Sequence, residues 1–276
     1  MNANQIESKF AEMGARIKVR EVPPEWAIAD RSWRTNGDYA VDIQRDRNGE
    51  FFEVRIPERL REAVEISVMQ SEPKKQHLLL AVRKTGEKPQ LDRFLCGHDE
   101  REWFVAAVPG GASSVRQAMR ALQPKIVRAA IESNRVPSRQ RFDRKNRAFR
   151  RQGEWFFIPV PGFHAEKLRV LRNEPLRRGA GKPHIVEELC RTGGEWVYVA
   201  SQRPSGLREA EYRKLLREDP DAAQWQWQTM RRTPIVHARG TVRHNDHATI
   251  ELPFWHRVIM NTETETRTMA NVAFLD

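Results

Sequence analysis

Four histidines in the last third of the sequence are the side chains most able to do chemistry. His237, His244, His247 and His256 lie within twenty residues, and Asp246 separates the middle pair. Imidazole binds transition metals and transfers protons near neutral pH. In a phosphodiesterase or nuclease the candidate catalytic residues are His244, Asp246, His247 and His256. If such an enzyme needs a divalent metal ion, His244 and His247 are its candidate ligands.

The same histidines also fit a plainer interpretation, in which they lie at the tip and on the surface of a hairpin. No complete metal-binding or catalytic motif surrounds them. His247 begins a His-x-Thr phrase like those of two-histidine phosphoesterases. A second such phrase is missing, because Ile185 and Val186 follow His184. The sequence leaves open whether the cluster is an active site.

A β-hairpin is the element that would position the middle pair of histidines. Asn245 and Asp246 favour a turn, and apolar residues alternate with polar ones on both sides of it. A three-residue loop at 245–247 puts the apolar residues of both strands on one face, together with His244. Those apolar residues are Val242, Ala248, Ile250 and Leu252. The pattern therefore predicts His244 at the rim of an apolar face and His247 in the loop.

The positive charge of the chain is concentrated in one central stretch. The net charge is +11, and residues 134–191 contain 15 basic and 6 acidic side chains, a net of +9. A local excess of this kind is typical of a surface that meets a polyanion. We therefore predict contact with RNA or DNA, made mainly through phosphates.

The densest part of this stretch is the basic segment 135–151, where eight residues are basic and only Asp143 is acidic. Seven of the eight are arginines, which bind phosphate bidentately. If 140–151 were helical, Phe142 and Phe149 would face a core and the arginines would face outward. A second basic run at 169–182 contains glycines and is expected to be a flexible loop. The candidate nucleic-acid-binding residues are Arg139, Arg141, Arg144, Lys145, Arg147, Arg150, Arg151, Arg177, Arg178 and Lys182.

A phrase of glycine, glutamate and an aromatic residue recurs along the chain. Its copies are Gly49-Glu50-Phe51, Gly153-Glu154-Trp155 and Gly194-Glu195-Trp196, with Arg101-Glu102-Trp103 as a variant. Each follows a polar, turn-like cluster and continues into a strand-like stretch. We infer an α+β fold of two distantly related β-rich halves, each with a strand, a β-hairpin and a helix, joined by the arginine-rich segment.

The domains predicted from this pattern are an N-terminal α+β domain at 1–133, a basic linker or helix at 134–152, and a C-terminal β-rich α+β domain at 153–276. Helices are expected at 3–15, at 114–132 with a kink at Pro124, and at 206–218. The hairpin of the second half is expected from strands at 184–190 and 195–201.

Several classes of protein are excluded or disfavoured. Cys96 and Cys190 are far apart and belong to no Cys-x-x-Cys pair, which excludes a zinc ribbon or a thioredoxin motif. No apolar run is long enough to cross a bilayer, and we expect a cytoplasmic protein. The leading hypothesis is an RNA- or DNA-binding protein, as a subunit of a ribonucleoprotein, mobile-element or defence system. The alternatives are the histidine-dependent nuclease and an adaptor that docks to an acidic protein.

Overall fold

The computed structural model describes residues 3–23, 39–86, 89–99, 102–177 and 182–262. These residues form sixteen β-strands and four α-helices, which agrees with the predicted α+β class. The helices are α1 (Ala3–Glu12), α2 (Val115–Ala121), α3 (Lys125–Ser133) and α4 (Glu209–Glu218). No helix in the described ranges is both long enough and apolar enough to cross a membrane.

The chain forms two compact units. One unit runs to Arg128 and also includes Asn261 and Thr262, and the other runs from Ala129 to Met260. The strands of the first unit are β1 (Ile17–Val22), β2 (Ala40–Asp46), β3 (Gly49–Pro57), β4 (Val64–Glu72), β5 (His77–Lys84), β6 (Gln90–Asp99) and β7 (Glu102–Ala107). Those of the second are β8 (Arg150–Gln152), β9 (Trp155–Pro159), β10 (Val170–Leu176), β11 (His184–Thr192), β12 (Glu195–Ala200), β13 (Arg203–Leu207), β14 (Gln228–Arg232), β15 (Ile235–Arg243) and β16 (Ile250–Met260).

The first unit contains two sheets. One has the order β1-β3-β2, and the other is an antiparallel meander of β4, β5, β6 and β7. Strand β5 is buried on both faces, which explains why it reads as a continuous apolar run. Leu78, Leu80 and Val82 join the main core, while Leu79 belongs to a second cluster together with Val115 of α2. Two cores therefore flank the meander.

The second unit is built on a six-stranded antiparallel sheet with the order β10-β11-β15-β16-β9-β8. One face of this sheet carries an apolar core that includes Trp155, Phe157, Leu189 and Val242. A smaller sheet has the order β13-β12-β14. Helix α4 packs on it, since the Tyr212 ring stacks on Tyr198 at 4.2 Å. The large sheet is the scaffold of the candidate site.

One sequence prediction about the elements is wrong, and one of two alternatives for the basic segment is excluded. Strands β11 and β12 do not form the predicted hairpin, because they belong to different sheets. Gly193 and Gly194 both adopt positive φ, 62° and 80°, and redirect the chain from one sheet to the other. The basic segment is not a helix over 140–151 but a short 3₁₀ turn at Ser138–Gln140 followed by further turns.

The helix predictions are close to the structure elsewhere. Pro124 does not kink one helix but separates two, α2 and α3, because proline removes a backbone donor and clashes with the preceding turn. The sequence patterns did not predict strands β1, β4, β8, β10, β13 and β14. Strand β10 replaces much of the flexible loop predicted at 169–182.

Candidate functional site

The hairpin of β15 and β16 has the register that the apolar pattern predicts. Val242 pairs with Ile250, and Thr241 pairs with Glu251. Val242 and Leu252 are buried in the core of the second unit. His244 therefore lies just beyond the end of β15, at the rim of the apolar face, and His247 lies in the connecting loop.

A third histidine joins this pair from a distant part of the sequence. His184 is the first residue of β11, and the pairing of Ile185 with Arg243 brings it beside His244. One nitrogen from each of His184, His244 and His247 lies within 4.8 Å of the others. The three rings are stacked, with His184 to His244 at 4.2 Å, His244 to His247 at 4.6 Å and His184 to His247 at 5.6 Å between centroids. We call these three residues the histidine cluster.

Gly153 provides the space in which the histidine nitrogens converge. It occupies the turn between β8 and β9 with a φ of 55°, a conformation that favours glycine. A Cβ at this position would lie 2.9 Å from Nε2 of His247 and 3.3 Å from Nε2 of His184. A side chain here would therefore occupy the region between the two rings and the backbone.

Gln152 selects the tautomer of His184. The side chain is buried, and its Nε2 donates to the carbonyls of Val242 at 3.1 Å and Ala248 at 2.7 Å. Its Oε1 must then accept from Nδ1 of His184, which lies 2.9 Å away. Because Nδ1 carries the proton, the lone pair of His184 is on Nε2, the nitrogen beside Gly153. Outer hydrogen bonds of this type orient histidines that bind metals.

Two carboxylates lie beside the histidine cluster. Oε2 of Glu154 lies 3.5 Å from Nε2 of His184. Asp246 donates its backbone N–H to Nδ1 of His244 at 3.1 Å, and its carboxylate accepts from Nζ of Lys182 at 2.7 Å. Burial, and secondly the neighbouring His184, lower the pKa of His244, so this imidazole is neutral at pH 7. Neutral imidazole is the form that binds metal ions.

Two other histidines of the sequence cluster lie apart from this site. His256, a candidate catalytic residue, is buried on β16, and its Nδ1 contacts the carbonyl of Phe254 at 2.6 Å. His237 on β15 stacks on Phe163 at 3.7 Å. Burial lowers the pKa of both histidines. Neither side chain belongs to the group of converging nitrogens.

The sequence did not identify His184, Gln152 or Glu154 as parts of the site. The available signals were a histidine at the start of an apolar strand and a glutamine that precedes the Gly-Glu-aromatic turn at 153–155. These signals are weak, because nothing in the local sequence pattern indicates that β11 and β8 reach the same end of the sheet.

The predicted nucleic-acid-binding residues fall into two groups. Most lie in the first run: the turns at 135–149, which we call the basic loop, contain Arg139, Arg141, Arg144, Lys145 and Arg147, and Arg150 and Arg151 begin β8. The rest come from the second run: Arg177 is exposed after β10, Lys182 is bound to Asp246, and Arg178 lies outside the described residues. The first run thus contributes seven candidates, all within 135–151, whereas the second contributes only Arg177 and Lys182 among the described residues.

The basic loop has a defined internal structure. Oδ1 of Asn146 accepts from the backbone N–H of Ala148 at 2.9 Å and of Phe149 at 3.2 Å. This side-chain turn competes with a helix, which explains why 140–151 is not helical. Ala148 and Phe149 are buried, and the Phe149 ring packs edge-to-face on Phe156 at 5.0 Å. The loop then continues into β8, whose last residue is Gln152.

No known family model matches this chain, and no characterised protein or solved structure is significantly similar to it. Two features of the second unit therefore carry the functional inference: the basic loop and the histidine cluster.

Proposed function

We propose that the protein binds nucleic acid through phosphate contacts made by the basic loop. The observation that carries this proposal is a group of cations without acidic partners. Arg139, Lys145 and Arg147 are exposed and make no ion pair with any residue in the described part of the chain. Several other arginines of the second unit are paired, as Arg191 is with Glu174 at 3.2 Å. Unpaired surface cations are suited to replacing the counterions of a phosphate backbone.

The rigidity of the loop supports the same proposal. The Asn146 turn and the buried Phe149 hold the loop in shape before any ligand arrives. A pre-ordered loop loses less conformational entropy on binding than a flexible one. Arginine side chains on such a loop can form bidentate contacts with phosphate oxygens.

Fluorescence anisotropy tests the proposal. Labelled single-stranded RNA, single-stranded DNA and duplex DNA are titrated with the protein across a salt series. We expect the triple variant Arg139→Gln, Lys145→Gln and Arg147→Gln to bind more weakly. The slope of log affinity against log salt should flatten by about 0.7–0.9 for each phosphate that the variant no longer neutralises.

A matched control separates the basic loop from net charge. Helix α4 carries three exposed basic residues, and their triple variant Arg213→Gln, Lys214→Gln and Arg217→Gln changes the net charge by the same amount. We expect this variant to bind like the unmodified protein. Equally weakened binding in both variants would show that the basic loop has no special role. If no probe binds at low salt, the proposal is wrong, and an acidic protein becomes the partner to test.

The histidine cluster favours a second candidate function, hydrolysis of a bound phosphodiester. Its supporting observation is the convergence of three imidazole nitrogens in the sheet into which the basic loop leads. The same probes, run on a gel after incubation, test it. A nuclease loses cleavage but not affinity in His247→Ala, whereas a protein that only binds leaves every probe intact.

The relation between the two halves is also a proposal. In the phrases at 49–51, 153–155 and 194–196 the glycine has positive φ and begins or precedes a strand. Superposing the first unit on the second tests for a common ancestor. A shared order of strands beyond these turns would support duplication, and a match limited to the turns would contradict it.

A further inference from the structure

We propose that His184, His244 and His247 bind one zinc ion. This inference does not depend on nucleic-acid binding, because it rests on the geometry of the histidine cluster alone. Imidazole nitrogen suits zinc and related transition metals, whereas magnesium and calcium prefer oxygen ligands. Three protein nitrogens within 4.8 Å of one another form the type of ligand set that zinc sites use.

The distances require only a local adjustment. With zinc–nitrogen bonds of about 2.0–2.1 Å, nitrogens in a tetrahedral site lie about 3.3 Å apart. The present ring planes are within 22–26° of parallel, and a metal lies in the plane of each ring that binds it. Binding therefore requires the rings to turn relative to one another so that the nitrogens approach. His244 lies beyond the end of β15 and His247 lies in the connecting loop, so these two rings turn outside the strands.

Gly153 supplies the room for the ion. The lone pair of His184 is on Nε2, and this atom and Nε2 of His247 both lie against the bare Cα of Gly153. A Cβ on residue 153 would come within 3 Å of Nε2 of His247 unless that ring shifted. A glycine in the turn between β8 and β9 thus leaves space beside Nε2 of His184 and Nε2 of His247.

Hydrogen bonds outside the cluster orient the ligands. Gln152 holds Nδ1–H of His184 and leaves its Nε2 for the metal. In the structure Nδ1 of His244 accepts the backbone N–H of Asp246 at 3.1 Å, and the ring also hydrogen-bonds the backbone of Lys182. Metal binding by His244 therefore displaces a backbone hydrogen bond. If the metal is bound through Nε2, the proton moves to Nδ1, which lies 3.9 Å from the carboxylate of Asp246. A carboxylate behind a zinc-bound histidine is a recurrent arrangement, and it raises the basicity of the ligand.

Glu154 is the group placed to complete the coordination. Its Oε2 lies 3.5 Å from Nε2 of His184, on the turn that also contains Gly153. A glutamate oxygen in the fourth position closes the site, while a water in that position leaves zinc able to activate a nucleophile. The zinc content is the same in both cases.

Metal binding is tested on the 276-residue chain without a histidine tag. Protein stripped with a chelator is titrated with Zn²⁺ by calorimetry, and metal content is measured after dialysis. We expect one zinc per chain in the unmodified protein. His247→Ala, a change in a surface loop, should weaken the affinity by more than about 100-fold, and Gln152→Leu by about 10- to 100-fold.

His164→Ala is the matched control, because His164 is an exposed histidine of the same unit and does not belong to the cluster. It should bind zinc as the unmodified protein does. Far-UV circular dichroism of each variant shows whether it is folded. Cobalt substitution of the unmodified protein provides a measurement that needs no variant, because tetrahedral Co²⁺ gives intense visible absorption.

Two results would overturn the proposal. One is an unmodified protein that binds neither Zn²⁺ nor Co²⁺ at micromolar concentration. The other is zinc bound equally well by folded His247→Ala and by the unmodified protein, which would place the ion elsewhere.

Discussion

Replacing Gln152 by leucine should destabilise the second unit, because the side chain satisfies buried groups on three parts of the chain. It is 2% exposed and contacts the carbonyls of Val242 and Ala248 and Nδ1 of His184. Leucine has a similar volume but neither donates nor accepts a hydrogen bond. The change therefore removes polar interactions without opening a large cavity.

The size of this loss of stability depends on which hydrogen-bond partners of Gln152 can bond to water instead. Ala248 is exposed, so water can replace the amide at its carbonyl. Val242 and His184 are buried, and their polar groups are left without this partner. A buried group that loses its hydrogen bond costs about 1–3 kcal/mol. Two such groups predict a decrease of about 2–6 kcal/mol in the free energy of unfolding.

Urea denaturation followed by tryptophan fluorescence measures this decrease. Trp155 reports on the region directly, since its ring contacts His184 edge-to-face at 6.4 Å between centroids. The control is Gln226→Leu, an exposed glutamine of the same unit. We expect the control to change stability by less than about 0.5 kcal/mol. If Gln152→Leu is equally mild, the hydrogen bonds assigned to Gln152 do not hold the histidine cluster.

Two further changes probe the basic loop and the first unit. Phe149→Ala removes a ring that is 1% exposed. It should lower the free energy of unfolding, measured in urea, by about 3–5 kcal/mol. A decrease below about 1 kcal/mol would mean that Phe149 does not anchor the basic loop. In the first unit, side-chain hydrogen bonds from Arg16 and Lys18 lower the pKa of Asp46 below its ordinary value. The carboxylate therefore stabilises the fold above the unfolded pKa of about 3.9, and this contribution is lost as the pH falls through the lower folded pKa. Asp46→Asn should have a lower free energy of unfolding than the unmodified protein in urea at pH 7, and this difference in free energy should shrink on acidification. A difference that stays constant with pH would contradict the ion pairs of Asp46 with Arg16 and Lys18.

Local sequence patterns were sufficient to predict the hairpin that carries His244 and His247. The alternation of apolar residues around Asn245 and Asp246 predicts the pairing of Val242 with Ile250, and the structure has that pairing. Register is predictable here because a shift of one residue would move every apolar side chain to the solvent face. The break at Pro124 is local in the same sense, since it depends on the missing N–H of one residue.

The basic segment shows where local patterns fail. Its charge density is evident from the sequence, but its conformation depends on side-chain hydrogen bonds of Asn146 and on the burial of Phe149 against Phe156. A helical wheel cannot represent these interactions. The predicted hairpin at 184–201 fails for a related reason, since two glycines with positive φ allow the chain to leave the sheet.

The sequence by itself determined the α+β class, the concentration of positive charge, and the placement of His244 and His247 at one hairpin tip. Only the tertiary structure decided that His184 and Gln152 join them, across sequence separations of 60 and 92 residues from His244. The order of strands in the large sheet makes β11 the neighbour of β15 and carries β8 to the same sheet. That order is set by long-range burial of apolar faces, which no short pattern of residues contains.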